Sequence, residues 1–272
     1  MKISNILNII AVGVALLGAT TACDIDIDDR YIEIDKIEAK RAVLLEEFTG
    51  QECRNCPEGH EIVSQLKQQY GDAFIPVSIH ASQLSYLDED YKDMPNFALG
   101  IKEGGQYYSA AKSPALPAGV VDRNSGALDR DRWASAIRAE LEKEAPAAIE
   151  IIPTLSPDSE EINIAITLKP TENIDCRLTV WIIESGIVGY QNDNGNIDMN
   201  YVHNHVLRAV VSEINGDKIT ASRGVFTNKD YTYSIKANNK SYWNKENLSV
   251  VAFIADDANG VLQAAEAAVK TE

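Results

Sequence analysis

Two cysteines, Cys53 and Cys56, stand between an apolar strand pattern and a helix pattern, and no other feature of the sequence limits its fold as much. Residues 42–48 open with a continuous apolar run of the kind buried on both faces of a mixed or parallel sheet, and Thr49-Gly50 ends it. Pro57 sits where helices begin, and Ile62, Val63, Leu66 and Tyr70 follow at helical spacing up to Gly71. A second strand is predicted over 73–80. Strand, cysteine turn, helix and strand make a βαβ unit, whose right-handed crossover puts the turn at the carboxyl end of the first strand.

There a helix amino terminus stabilises the thiolate of the first cysteine, and the second lies close enough to resolve a mixed disulfide. By that logic Cys53 attacks and Cys56 resolves. Glu46, Glu47 and Glu52 raise a nearby thiol's pKa, whereas Arg54 lowers it. Three uses of the pair stay open at this level. They are exchange between thiols and disulfides, a static bridge pinning helix to strand in an oxidising envelope, and metal binding with His60, for which a fourth ligand is missing.

Further along, 82–113 reads as loop with one or two short helices, and 116–122 as a turn feeding another buried strand. Pro117, just before that strand, is a candidate cis-proline. Residues 129–144 form an amphipathic helix pattern with Trp133, Ile137 and Leu141 on one face, and Ala145-Pro146 closes it. Beyond this boundary the pattern changes to strands alone, at 148–152, 161–168, 178–183, 205–211, 231–235, 249–255 and 261–268. Such a series separated by Asn, Asp, Gly and Pro clusters suggests a β-sandwich, although the alanine-rich last run also fits a helix.

The amino terminus reads differently. Lys2, an apolar run over 9–19 and the small residues Thr20-Thr21-Ala22 before Cys23 have the order of a secretion signal, and the run is too short to span a bilayer. Cys23 at the cleavage point resembles a bacterial lipobox, which makes it the expected lipid carrier, with Thr20 where such sites usually have Leu. The acidic stretch 24–30 that follows is a solvated tether, and it also resembles the surface-export signal of Bacteroidetes lipoproteins. Formal charge is −16, one unit more negative once residues 1–22 are removed. That charge repels phosphate backbones and argues against a nucleic-acid partner.

Smaller candidates remain. His203 and His205, two apart, would face one side of a strand and reach a common metal. Residues 192–198 (NDNGNID) are dense in side-chain oxygens but lack the bidentate Glu of a calcium loop, and are read as an exposed turn. Cys176 is expected to be a buried small hydrophobe. No cofactor and no metal is expected.

The strand, Cys53-x-x-Cys56 and Pro117 together resemble the thioredoxin superfamily, where a cis-proline packs against the redox pair. The longer string 43–50, then Cys53, Cys56-Pro57, then 201–208 (YVHNHVLR), resembles the outer-membrane-protein-28-related lipoproteins of Bacteroidetes. That resemblance implies an α/β plus all-β chain. Its parts would be a signal (1–22), a tether (23–40), a thioredoxin-like domain (41–145) and an immunoglobulin-like β-sandwich (146–272), anchored to the outer membrane through Cys23. Cys53, Cys56 and Pro117 are then the expected catalytic residues, acting on envelope or surface proteins. The alternative is a binding or scaffold lipoprotein with a structural disulfide.

Overall fold

The computed structural model describes residues 39–272 except 92, 93, 95, 96 and 125. The expected signal, Cys23 and nearly all of the tether lie outside the described residues.

Strand β1 (Val43–Thr49), helix α1 (Cys56–Tyr70) and strand β2 (Phe74–His80) form the expected unit, with β1 and β2 parallel. Then come α2 (Lys102–Ala110), β3 (Ala118–Val121) and β4 (Ala127–Leu128). The helix expected over 129–144 is a 3-10 turn, Arg130–Arg132, continuing into α3 (Trp133–Leu141). It ends before the predicted Glu144, in a turn where the Lys143 amide donates to Glu140 O. The remaining strands are β5 (Ala147–Ser156), β6 (Glu161–Pro170), β7 (Ile174–Glu184), β8 (Ile187–Asp193), β9 (Asn196–His203), β10 (Val206–Val210), β11 (Asp217–Ala221), β12 (Thr227–Ser234), β13 (Leu248–Asp256), β14 (Gly260–Ala268) and β15 (Lys270–Thr271). The alanine-rich run is therefore a strand, β14, paired along its length with β13.

Strands from both sides of the expected boundary at 145/146 meet in one mixed sheet, in the order β14-β13-β7-β10-β2-β1-β3-β4 with β11 also on β7. The joint is between β10 and β2, where Val206 pairs with Ser78 and the Ser78 amide donates to His205 O at 2.8 Å. A second sheet, β12-β6-β5-β15, covers the β7–β13 end, and the two enclose a core of Ile162, Ile164, Ile166 and Leu168 against Leu178, Val180, Ile182, Val250 and Ala252. On the other face of the large sheet, Phe48, Ile75 and Ile79 meet Tyr107, Trp181, Val251 and Phe253. A third core lies under α1 and α3, built from Val43, Leu45, Val63, Leu66, Phe74, Trp133, Ile137 and Leu141. Because β7 serves two of these cores, its second half is buried on both faces. The described residues form one compact unit. No helix among them is long and apolar enough to cross a membrane.

Candidate functional site

The register of β1 on β2 sets what lies beneath α1. On that face the pairs run Val43 with Phe74, Leu45 with Pro76, Glu47 with Ser78 and Thr49 with His80, from apolar to polar toward the carboxyl ends. The polar end is where α1 begins, and a hydrophilic chamber replaces the core there, lined on the helix side by His60, Val63, Ser64, Lys67 and Gln68.

Cys53 and Cys56 are joined in a disulfide, with the Cys56 amide donating to Cys53 O at 3.3 Å. No side chain caps α1, and Asn55 takes a helical backbone conformation at its start. The uncapped amides of the first turn stabilise negative charge on a sulfur there. Leu116-Pro117 is a cis peptide, as expected from the sequence. Pro117 lies beside the helix: a Cβ on Gly59 would stand 3.3 Å from Pro117 Cβ and 3.1 Å from Glu47 Oε1. Any larger residue there would press on both, so glycine suits a helix lying this close to them.

Glu47 is fully buried. Ser78 Oγ donates to its Oε2 at 2.8 Å, and burial, only partly opposed by that bond, pushes its pKa up to about 8. At neutral pH it is therefore mostly a neutral acid. All four histidines of the chain gather around it: with Glu47 they line a cavity of about 230 Å³. Burial, reinforced by neighbouring His203, lowers His60 to about 3, and burial lowers His203 to about 4 against its bond to Tyr190 O. His80 is held well below its ordinary value by burial, then by His203, His60 and Arg208.

These opposed shifts make a testable pH profile. The raised acid contributes stability that is full below pH 4.5 and is lost as pH rises through 8. The lowered histidines contribute stability that is full above 6.5 and is lost on acidification. Asp122, raised to about 7 by burial despite Arg41, adds its decline mainly below pH 7. Between pH 7 and 8 the slope belongs mostly to Glu47, and wild-type stability should fall by about 1 kcal/mol. In Glu47→Gln the fall should shrink to the smaller remainder left by Asp122 in urea titrations at the two pH values; an unchanged slope would mean that Glu47 is not the titrating group.

The cysteine turn is clasped from two sides. Gln191 of β8 donates through Nε2 to Gly50 O at 3.3 Å and Cys53 O at 3.2 Å, and the amides of Asn192 and Asn194 donate to Gln51 O and Arg54 O. Opposite, the Glu52 amide donates to Leu84 O, and Tyr86 OH donates to Glu52 Oε1 at 2.5 Å, which holds the Glu52 carboxyl below its usual range. Tyr86, Tyr91, Phe97 and Tyr190 form a half-buried aromatic cluster beside it. Between the two sides Cys53 keeps only 3% of its surface exposed and Cys56 none.

Other expectations need correction. His203 and His205 do not share a strand face: β9 ends at His203, and His205 sits beyond Asn204 with φ of +55°. Residues 192–198, read as an exposed turn, are indeed the tip of the β8–β9 hairpin, turned at Asn194-Gly195. Their oxygens accept backbone amides, Asn192 Oδ1 from Gly195 and Asp198 Oδ1 from Asn200. His60 has both ring nitrogens engaged, Nε2 with Thr49 Oγ1 at 2.9 Å and Nδ1 with Tyr201 OH at 2.7 Å. Among the described residues no three His, Cys, Asp or Glu side chains are placed to hold a metal ion. Cys176 is buried on β7, and burial pushes its thiol up to about 11. Glu47 as a buried acid, Gln191 and Tyr201 were not legible as site residues.

A family model described as outer membrane protein Omp28 matches residues 104–272. Among solved structures, HBP35 of Porphyromonas gingivalis superposes with a TM-score of 0.65 at 16% identity, over 85% of this chain and 76% of that one. A domain of the outer membrane lipoprotein Omp28 from the same organism gives 0.34 at 20% identity, over 48% of this chain and 93% of that one. A protein of Agrobacterium tumefaciens gives 0.47 at 14% identity, over 84% and 95%. At these identities the first likeness speaks to fold alone, and the other two superpose too loosely to add to it. A search of curated proteins finds no match.

Proposed function

The chain belongs to the outer membrane protein Omp28 family, and from that premise we propose that it is an outer-membrane lipoprotein, anchored through Cys23, whose Cys53–Cys56 pair exchanges with thiols of envelope proteins. In this reading residues 41–145 are a thioredoxin-like unit and 146–272 an immunoglobulin-like β unit that shares its sheet. The observation that carries the reading is Glu47, a buried acid under the first turn of α1, neutral near physiological pH. A bridge that only pins helix to strand has no use for a proton store at that place.

The chemistry follows from the oxidised pair. A thiolate of a substrate dithiol attacks Cys53 Sγ, the bond between the two sulfurs breaks, and Cys56 leaves as a thiolate that takes the proton of Glu47. The substrate's second thiolate then attacks its own sulfur in the mixed disulfide and releases Cys53. Two electrons pass from substrate to the pair. The helix amino terminus favours Cys53 as the released thiolate, and Glu52 opposes it. Pro117, beside the helix, shapes the groove that receives the substrate.

The near-complete burial of both cysteines favours a second reading, a structural disulfide in a binding lipoprotein. Exchange requires the β8–β9 hairpin to lift from the turn. The experiment is a redox titration of the pair together with trapping. The proposal expects a potential above about −300 mV, and capture of envelope proteins by Cys56→Ser that is lost in Cys53→Ser. A potential well below that value, with no captured partner, selects the structural bridge.

A further inference from the structure

The two strands β8 and β9 form a sheet of their own, outside the two larger ones. Two-residue connectors join this hairpin to the large sheet, 185–186 after β7 and 204–205 before β10. Each holds one residue in the left-handed region, Gly186 at φ of +72° and His205 at φ of +55°. The connectors are tied to each other, the Gly186 amide donating to Asn204 Oδ1 and the His205 amide to Ser185 Oγ, both at 3.0 Å. The Ser185 amide also donates to Asn247 O at 3.1 Å, which fixes the neck to the body. Beyond the neck the hairpin meets the body mostly through polar groups. Gln191 Nε2 and the amides of Asn192 and Asn194 hold the cysteine turn, and Tyr201 OH meets His60 Nδ1. Ile187 at the base packs with Leu99 and Val206, and the Tyr190 ring lies 6.1 Å from Phe97. Among the described residues, the three main cores include none of 188–203. Where the hairpin faces the body, His203 walls the chamber opposite Glu47, His60 and His80 instead of packing into a core. Ile197, Met199 and Val202 expose half or more of their surface to solvent.

A segment with few buried apolar contacts, held by hydrogen bonds at its far end and by a short neck at its near one, opens at a lower cost than the domain unfolds. We propose that the β8–β9 hairpin is a hinged lid, which swings as one piece about Ser185-Gly186 and Asn204-His205 and uncovers Cys53 and Cys56. It moves as a unit because its own ladder, from Ile187 with His203 to Asp193 with Asn196, stays paired throughout. The connectors absorb the change, as residues at the ends of elements do in hinges. Gln191 is the latch. Fully buried, it bonds Gly50 O and Cys53 O at once, so its release frees the turn at two places. Water replaces each broken bond on opening, which leaves only the small net value of that bond to oppose the swing. A partner thiol meets the pair only in the open state, and the open fraction therefore scales the rate of exchange. The lid takes its use from the exchange reading above, but its motion does not depend on that reading.

The test is the rate at which dithiothreitol reduces the Cys53–Cys56 bond in the full mature chain at pH 7. Hinge motions run over microseconds to milliseconds, so the slower reduction reads the open fraction. Gln191→Ala should raise the rate about 5- to 30-fold, the range of one or two lost hydrogen bonds. Tyr201→Phe, which keeps the ring but drops the bond to His60, should raise it about 3- to 10-fold, and it serves if Gln191→Ala does not fold. Urea below the unfolding transition should speed reduction far less steeply than it promotes global unfolding, because a swinging hairpin exposes little surface. Ile164→Val, in the core between the two sheets, weakens the fold without touching the hairpin and should leave the rate unchanged. Wild-type rates in both Gln191→Ala and Tyr201→Phe overturn the lid. So does a rate that rises with urea, or in Ile164→Val, in step with global unfolding; the exchange reading is then still decided by its own trapping experiment. Faster reduction in the two latch variants, with no partner captured by Cys56→Ser, keeps the lid and removes the exchange reading.

Discussion

A Cys23→Ser chain is expected to leave the membrane fraction entirely, while Cys53→Ser stays in it. If Cys23 carries a diacylglycerol and an amide-linked acyl chain, each buried methylene contributes about 0.8 kcal/mol. One acyl chain alone binds only marginally, but several hold a protein on a bilayer for practical purposes permanently. Nothing else in the sequence competes with that anchor. Formal charge is −16 over the whole chain, so an anionic lipid surface repels it, and no described helix can span a bilayer. Fractionation of cells expressing each variant, with intact mass of the mature chain, reads the result directly. A wild-type mass beginning at residue 23 without added lipid would sink the expectation, as would membrane retention of the Cys23→Ser chain.

Trp181→Ala should destabilise the whole described unit by about 3–5 kcal/mol. The indole is fully buried on β7, edge-on to Tyr107 at 5.1 Å and to Phe253 at 4.8 Å, and its Nε1 donates to Tyr107 OH at 3.0 Å. It also supports Arg123, which lies over the same three rings while holding Glu46 through two bonds. Its removal leaves a large void and loosens a partly buried ion pair at once. Because β7 lies in the sheet that also contains β1 and β2, the loss should not be confined to the carboxyl-terminal half. Amide-exchange protection in α1 and in β6 should fall together, in one cooperative transition. If α1 keeps wild-type protection while β6 loses it, the shared sheet does not couple the halves.

The local elements of the first half were legible because their signals are local. An apolar run, a helix-starting Pro57 and a 3.6-residue repeat do not depend on distant residues. The exposed turn at 192–198 was legible, but the strands β8 and β9 on either side of it were not, because Ile197, Met199 and Val202 face outward and blur the alternation expected of strands. The joint between β2 and β10 could not be read at all. Pairing across about 130 residues leaves no mark in either segment beyond an ordinary buried strand. The site divides the same way: Cys53, Cys56 and Pro117 carry their own motif, whereas Glu47 looks like one acid among several until β2 and α1 bury it. His60 and Tyr201 are ordinary residues until the fold brings them to 2.7 Å.

The clasp of Gln191 on the cysteine turn reaches across more than a hundred residues of chain. A polypeptide exported amino terminus first delivers Cys53 and Cys56 to the envelope well before Gln191 arrives. In a chain exported that way, the two thiols reach the envelope before the residue that covers them. Arrival of β8 then shuts the turn. On the exchange reading proposed above, a partner that meets the folded chain has first to displace the hairpin, whereas one that meets it during translocation does not.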